Sequence, residues 1–293
     1  MSLTTSALFV PAVVGSDPSD AALIELWLGT KVSVHTRRAY RKEIGRFLAA
    51  MGKGLELVTM ADLQTYAQGL GQGSLKPASQ NRALTAIKSL LSFGQQTGYL
   101  AFNVGAAVKL RPNPDGLSQR ILAESDVARL IDRAHAGRDQ VMLRLLYLSG
   151  IRVSELARLR WCDAVVRAEG GQITVFGKGG RTRSILLKPK MWGLLLALRS
   201  EAGTEDDPVF RSQKGGHLDV SQIRRIVYGA AARAGLPKKV SPHWLRHAHA
   251  SHALDRSAPI HLVQATLGHV SVATTGRYLH ARPSDSSSLY LPE

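Results

Sequence analysis

Residues 33–51 place Tyr40, Ile44, Phe47 and Leu48 at helical spacing on one face, while Arg38, Lys42 and Arg46 recur every four residues along another. The segment predicts an amphipathic helix with a basic outer stripe. Residues 77–96 repeat the pattern. Leu84, Ile87 and Leu91 form an apolar stripe, with Arg82 and Lys88 beside it. Shorter periodic stretches near 20–28 and 60–69 complete a small all-helical bundle. Arg111-Pro112-Asn113-Pro114-Asp115-Gly116 then interrupts all periodicity, with the composition of a linker. The expected organisation is a helical N-terminal domain over 1–111, a linker at 112–118 and a second domain over 119–293.

The second part is patterned differently. Residues 122–149 read as two helices broken at Gly137, with Gly150 as a C-terminal stop. Strand-like runs at 172–176 and 182–187 flank Gly177-Lys178-Gly179-Gly180-Arg181, which reads as a hairpin turn. Beyond Lys190 the pattern is mostly helical, punctuated by Gly and Pro at 215–216, 235–237 and 268. The fold class expected is mainly α (α+β): a helical bundle, then an α-rich domain with a small antiparallel sheet.

Composition narrows the partner. The 293 residues are 44% apolar, enough for packed cores, and 38 Lys and Arg against 22 Asp and Glu give +16. Both parts of the chain are basic, so both are expected to touch one polyanion, most often nucleic acid. The single Cys162 excludes an internal disulfide framework and fits a reducing compartment. No apolar run approaches the roughly 20 residues that span a bilayer. The stretch 1–16 lacks the basic start of a signal peptide. A cytoplasmic protein with no membrane partner is expected.

Several chemistries are excluded by spacing. Gly177-Lys178 lacks the Ser or Thr and the following helix of a phosphate-binding P-loop. His243 and His247 are four apart, but Trp244 stands where a zinc protease needs Glu, and no Cys pair assists. Neither a metal nor another cofactor is expected. No Gly-x-Ser-x-Gly elbow exists.

What remains is a set of potential phosphate ligands. Ser241-Pro242 reads as the cap and first residue of a helix, which puts His243 in the first turn, where free amides and the helix dipole favour an anion. Arg246 lies on nearly the same face, a guanidinium fork for two phosphate oxygens. Arg152 follows the stop at Gly150, with Glu155 spaced to orient it if the segment is helical. Lys178 occupies a hairpin tip, His269 follows Gly268, and Tyr278 stands in Thr274-Thr275-Gly276-Arg277-Tyr278. Taken singly, each also reads as a surface, capping or core residue.

Their order decides between these readings. Ser149-Gly150-Ile151-Arg152-Val153-Ser154-Glu155-Leu156 resembles the first arginine motif of tyrosine recombinases. Gly177-Lys178-Gly179-Gly180-Arg181-Thr182-Arg183 resembles their β-hairpin lysine, and Pro242-His243-Trp244-Leu245-Arg246-His247 their His-x-x-Arg box. Leu267-Gly268-His269 and the Tyr278 segment resemble the last two motifs. The resemblance spans about 19–282 and is nearest to the Xer and integrase branch. It implies DNA strand exchange through a covalent 3′-phosphotyrosine. Tyr278 would attack phosphorus, Arg152 and Arg246 would hold the nonbridging oxygens, and His243 would serve as base or hydrogen-bond partner. Lys178 would protonate the leaving oxygen and His269 would bond a phosphate oxygen.

Double-stranded recombination sites are the expected partner. A homotetramer would act on two of them, assembled from a monomer or weak dimer. A partner recombinase or a DNA translocase stays open. Arg38, Lys42, Arg46, Arg82 and Lys88 are the expected DNA contacts of the first domain, and Arg181 and Arg183 of the second. His249 stands where many relatives carry an aromatic. Ser284 to Ser288 is a poor helix former, which leaves the docking of a C-terminal helix onto a neighbour open. Two alternatives remain: a type IB topoisomerase and a DNA-binding protein without catalysis.

Overall fold

The computed structural model describes residues 19–112, 116–177, 180–237 and 240–279. By its internal contacts the chain divides into two compact units, Met1–Pro114 and Asp115–Glu293.

The first unit is built from α1 (Asp20–Gly29), α2 (Val34–Met51), α3 (Met60–Gln72) and α4 (Pro77–Gln96). Local chemistry sets their ends. Ser33 caps α2 by accepting from the Thr36 amide. Thr59 and Asp62 form a reciprocal capping box on α3. Pro77 opens α4, where no backbone donor is needed. Trp27, Phe47, Ile87, Leu90 and Leu91 fill the core, and Trp27 Nε1 donates to Ser89 Oγ at 3.1 Å. Asp20 ties the bundle together, accepting from the Leu55 amide and the Tyr99 hydroxyl, both at 2.8 Å.

The second unit places a three-stranded antiparallel sheet, in the order β1 (Ala164–Arg167), β2 (Gly170–Phe176), β3 (Thr182–Leu187), among eight helices of the described residues. These are α5 (Glu124–Asp132), α6 (Arg138–Ser149), α7 (Val153–Leu156), α8 (Pro189–Leu196), α9 (Val220–Arg233), α10 (Pro242–Asp255), α11 (Ile260–Leu267) and α12 (Val272–Gly276). In the hairpin, Ile173 pairs with Ile185 and Val175 with Arg183. The side chains of Ile173, Val175, Ile185 and Leu187 are buried, so one sheet face is the core face. α10 runs through the middle of this unit, which buries even its polar residues Arg246, His247, Ser251 and His252.

Three local features depart from the sequence reading. β1 was not expected; it is four residues long, too short to show an alternation. Residues 197–219 hold turns and two isolated bridges, Arg160 with Pro208 and Arg211 with His217, in place of helix. Ser241 flanks α10 but makes no side-chain capping bond. Part of the stretch expected to be linker is also packed. Leu117 is buried beside Ile121, Ala250, Val263, Leu267 and Tyr278. Residues 113–115 lie outside the described residues.

Candidate active site

The stop at Gly150 is left-handed, with φ 59°. A Cβ there would come within 2.7 Å of Leu267 Cδ2 and 2.8 Å of the His249 ring, so glycine lets the turn press against α10 and α11. The buried Ser149 hydroxyl donates to the Leu145 carbonyl and accepts from the Ile151 amide, which fixes the exit of the chain. Arg152 follows and precedes α7. The Glu155 carboxylate accepts from the Arg152 amide at 2.9 Å and from Arg152 Nη1 at 2.8 Å. The pairing therefore holds the arginine by its backbone and its side chain together.

Arg246 projects from α10 and is 2% exposed. Its Nη1 donates to the Gly150 carbonyl at 2.5 Å and its Nη2 to the Leu267 carbonyl at 2.6 Å. Burial, then the charges of Arg152 and Arg183, push its pKa down to about 9, which leaves it a cation at neutral pH. Tyr278 is also buried. Its hydroxyl lies 2.7 Å from His247 Nδ1, and its ring stacks on His269 with centroids 6.5 Å apart. His269 Nδ1 lies 2.9 Å from Thr275 Oγ1, so α12 positions both the tyrosine and its histidine neighbour. Burial raises the Tyr278 pKa against the opposing pull of Arg246 and Arg277.

Tyr278, His247 and His269 line a cavity of about 200 Å³ together with Arg120, His243, Arg277, Leu117 and Thr274. One phenol, three imidazoles and two guanidiniums meet there, with no carboxylate among the lining residues. That is the electrostatics of a phosphate site. Among the described residues no group of three His, Cys, Asp or Glu is placed to hold a metal ion.

The structure thus brings His243, Arg246, His269, Tyr278 and Arg152 to one region. Lys178 lies outside the described residues. His243 packs edge-on against His247, centroids 4.2 Å apart, and it is His247 that touches the phenol. The sequence reading missed His247, although its spacing of four from His243 already put the two on one helix face. Arg120 and Arg277 were missed for lack of any local pattern.

Arg38, Lys42 and Arg181 are exposed. Arg46 and Arg82 both pair with the buried Glu43, the latter at 3.0 Å. Lys88 donates to the carbonyls of Ala106 and Val108. Those three side chains therefore hold the first unit together as well as carrying charge. Arg183 departs furthest from its expected place as a DNA contact: its side chain is turned inward, 11% exposed, onto Glu155.

The histidines also predict a pH response. Burial is the largest cause lowering all four of His243, His247, His249 and His269. His247 falls to about 3, and His249 and His269 to about 4. His247, His249 and His269 are therefore neutral in the fold, whereas an unfolded imidazole takes a proton below about 6.5. The unfolded state thus binds more protons from pH 6.5 down to about 4, and stability falls as the pH drops through that window. Thermal melting followed by circular dichroism should show Tm declining from pH 7 to 5, with a slope of about three protons taken up on unfolding. A flat Tm would mean these imidazoles are charged in the fold.

A sequence model of the phage integrase family matches residues 120–285, and one of the phage integrase N-terminal SAM-like domain matches 23–98. The tyrosine recombinase XerC of Xanthomonas campestris pv. campestris (strain B100) is 33% identical over 267 residues, covering 88% of this chain and 82% of its own length. The chain belongs to the phage integrase family. It is a site-specific tyrosine recombinase of the Xer-like branch, an enzyme that cuts and rejoins DNA strands. The tyrosine recombinase XerD of Shewanella oneidensis (strain MR-1) is 31% identical over 278 residues, 89% of this chain and 91% of that one. Among solved structures, XerA recombinase aligns over 92% of this chain and 96% of its own at 29% identity, with a TM-score of 0.51. A lambda integrase dimer bound to a COC′ core site shares the fold at 18% identity and a TM-score of 0.75, over 91% and 95% of the two chains. Among the described residues no helix is long and apolar enough to cross a membrane.

Proposed function

We propose that this recombinase cuts one strand at a time with Tyr278, forming a 3′-phosphotyrosyl ester that a strand from a second site then resolves. The observation that carries this reading is the buried phenol in a cavity of imidazoles and guanidiniums with no lining carboxylate. In the step, Tyr278 Oη bonds to phosphorus and the bond to the 5′ oxygen breaks. The phenol proton passes to His247, whose Nδ1 is already 2.7 Å away and whose proton affinity, lowered by burial and by the neighbouring cations, rises when the anionic diester enters the cavity. His243, packed on His247, holds that ring and faces the phosphate side. Arg152 and Arg246 stabilise the charge that grows on the nonbridging oxygens, because their cations stand there before the reaction begins. Lys178 gives its proton to the departing 5′ oxygen. The reverse attack by a 5′ hydroxyl restores the diester. The ester conserves the energy of the broken bond, so no nucleotide cofactor enters the balance.

In this reading Met1–Pro114 also grips the duplex, through Arg38 and Lys42 and the outward charge of Arg46, Arg82 and Lys88. Arg120 and Arg277, at the mouth of the tyrosine cavity, add phosphate contacts. The working form is a homotetramer on two DNA sites in the cytoplasm. Relatives provide the analogy: lambda integrase has been solved as a tetramer bound to a Holliday junction, and XerH bound to its difH substrate. Residues 280–293, the segment that would dock in trans, lie outside the described residues.

The test is covalent trapping. The full chain is mixed with a pool of nicked genomic fragments in which loss of a short 5′ end prevents religation. Protein linked to DNA on a denaturing gel, with one shared sequence among the trapped fragments, is the expected result. Tight binding without any adduct would overturn the reading of the Tyr278 cavity as a strand-cleavage site.

A further inference from the structure

Helices end with carbonyls that lack intrahelical donors. At the end of α11 every one of them is accounted for. The His269 amide donates to the Gln264 carbonyl and the Gly268 amide to that of Ala265, as in a Schellman closure. The next three carbonyls each receive a different arginine. Thr266 accepts from Arg183 Nε at 2.6 Å, Leu267 from Arg246 Nη2 at 2.6 Å and Gly268 from Arg152 Nη2 at 3.1 Å. Three cations from β3, α10 and the start of α7 thus meet the negative end of one helix dipole. The turn they hold carries His269.

Arg183 differs from Arg152 in what it has left for a ligand. Arg152 is about one-third exposed and keeps N–H groups for a ligand. Arg183 spends all three of its nitrogens inside the protein. Its Nη1 and Nη2 reach Glu155 Oε1 and Oε2 at 3.0 and 2.7 Å, and its Nε reaches Thr266. Glu155 is itself buried, 2% exposed at its side chain, and accepts four hydrogen bonds, two from Arg183 and two from Arg152. Gly268 leaves room for this, since a Cβ there would stand 3.2 Å from Arg183 Cδ and Nη1.

We propose that Arg183 is a positioning residue for strand cleavage and touches no DNA. It orients Arg152 through Glu155 and the His269 turn through Thr266. It also sets the charge. Glu155 paired with Arg152 alone would cancel the cation meant for the phosphate, whereas two arginines on one carboxylate leave the group at net +1. This rests on the reading of Tyr278 and Arg152 as cleavage machinery.

The experiment compares Arg183→Met, Arg183→Lys, Glu155→Gln and Arg183→Met/Glu155→Gln as full chains. The probe is the nicked duplex recovered by trapping. Affinity is measured at two salt concentrations and adduct formation in single turnover at saturating protein. Arg183→Met should bind within about twofold of wild type and form adduct about a hundredfold more slowly, because misplacing a charged group by an ångström costs that order. Arg183→Lys should recover part of the rate, keeping the charge without the fork. Glu155→Gln should slow the wild type but speed the Arg183→Met background several-fold, since it removes the carboxylate that then neutralises Arg152. Because the two side chains are bonded, a merely structural role would couple them too, but it would give Tm the same pattern across the four variants as the adduct rate, which a positioning role does not. A loss of affinity with a reduced salt slope, and a normal rate at saturation, would make Arg183 a phosphate contact and overturn the proposal. Hydrogen exchange of 264–270 in DNA-free Arg183→Lys is the independent arm: exchange unchanged from wild type overturns the proposal even if wild type forms no adduct. That last outcome by itself overturns only the cleavage reading.

Discussion

Tyr278→Phe will form no covalent adduct with nicked DNA and will bind the same DNA within about twofold of wild type. The expected loss is at least about 10⁴-fold, because Tyr278 is the only phenol among the described residues that line the cavity. The variant should fold. The ring is 5% exposed and packs with Leu117, Ile121, Ala250, Val263 and Leu267, contacts that phenylalanine keeps. What it loses is one hydrogen bond to His247, about 1 kcal/mol. The readout is a denaturing gel for the adduct beside a native gel for binding. An adduct surviving in Tyr278→Phe would assign the nucleophile to another residue. Loss of binding together with the adduct would show that the phenol is needed for the fold of the pocket.

Arg246→Lys is expected to have the next largest effect, because it removes two things at once. Lysine keeps a positive charge, but a single ammonium on a flexible stem cannot reproduce the fork that bridges Gly150 and Leu267. One carbonyl in a buried setting is left without its donor, at about 1–3 kcal/mol. The bridge also joins the turn before Arg152 to the turn before His269, so its loss loosens both at the phosphate. Adduct formation should fall about 10²- to 10³-fold, the range for loss of a preorganised donor at a developing charge. Tm should fall further than in Arg152→Lys, whose guanidinium is partly solvated. Equal Tm losses in the two variants would show that the carbonyl bridge carries little of the stability.

The sequence made the local elements readable where one periodicity ran long enough to dominate. α4 begins at Pro77 and ends at Gln96 as the apolar stripe of Leu84, Ile87 and Leu91 implies. The hairpin strand Thr182–Leu187 follows from its alternation. β1, with four residues, offered no period, and its place comes from pairing with β2. Residues 197–219 lie between two helical stretches, yet they settle as turns around isolated bridges. Arg183 shows a signal that was present and overlooked. It shares strand parity with Ile185 and Leu187, the buried face, and a side chain on that face does not reach out to a phosphate.

The family, the helical character of the first unit and the residue types of the chemistry were all legible along the chain. Each of these depends on short-range order along the chain: Arg152, the His243–Arg246 box, His269 and Tyr278 are recognisable from their immediate neighbours. Which of them touch is settled only once the chain is folded. His247 and not His243 meets the phenol, because α12 returns Tyr278 to that turn of α10. Three arginines far apart in sequence take the successive carbonyls of Thr266, Leu267 and Gly268 where α11 ends, because a buried helix end must find donors wherever the fold supplies them. Hydrogen bonds of that kind depend on distance in space, which no local pattern encodes.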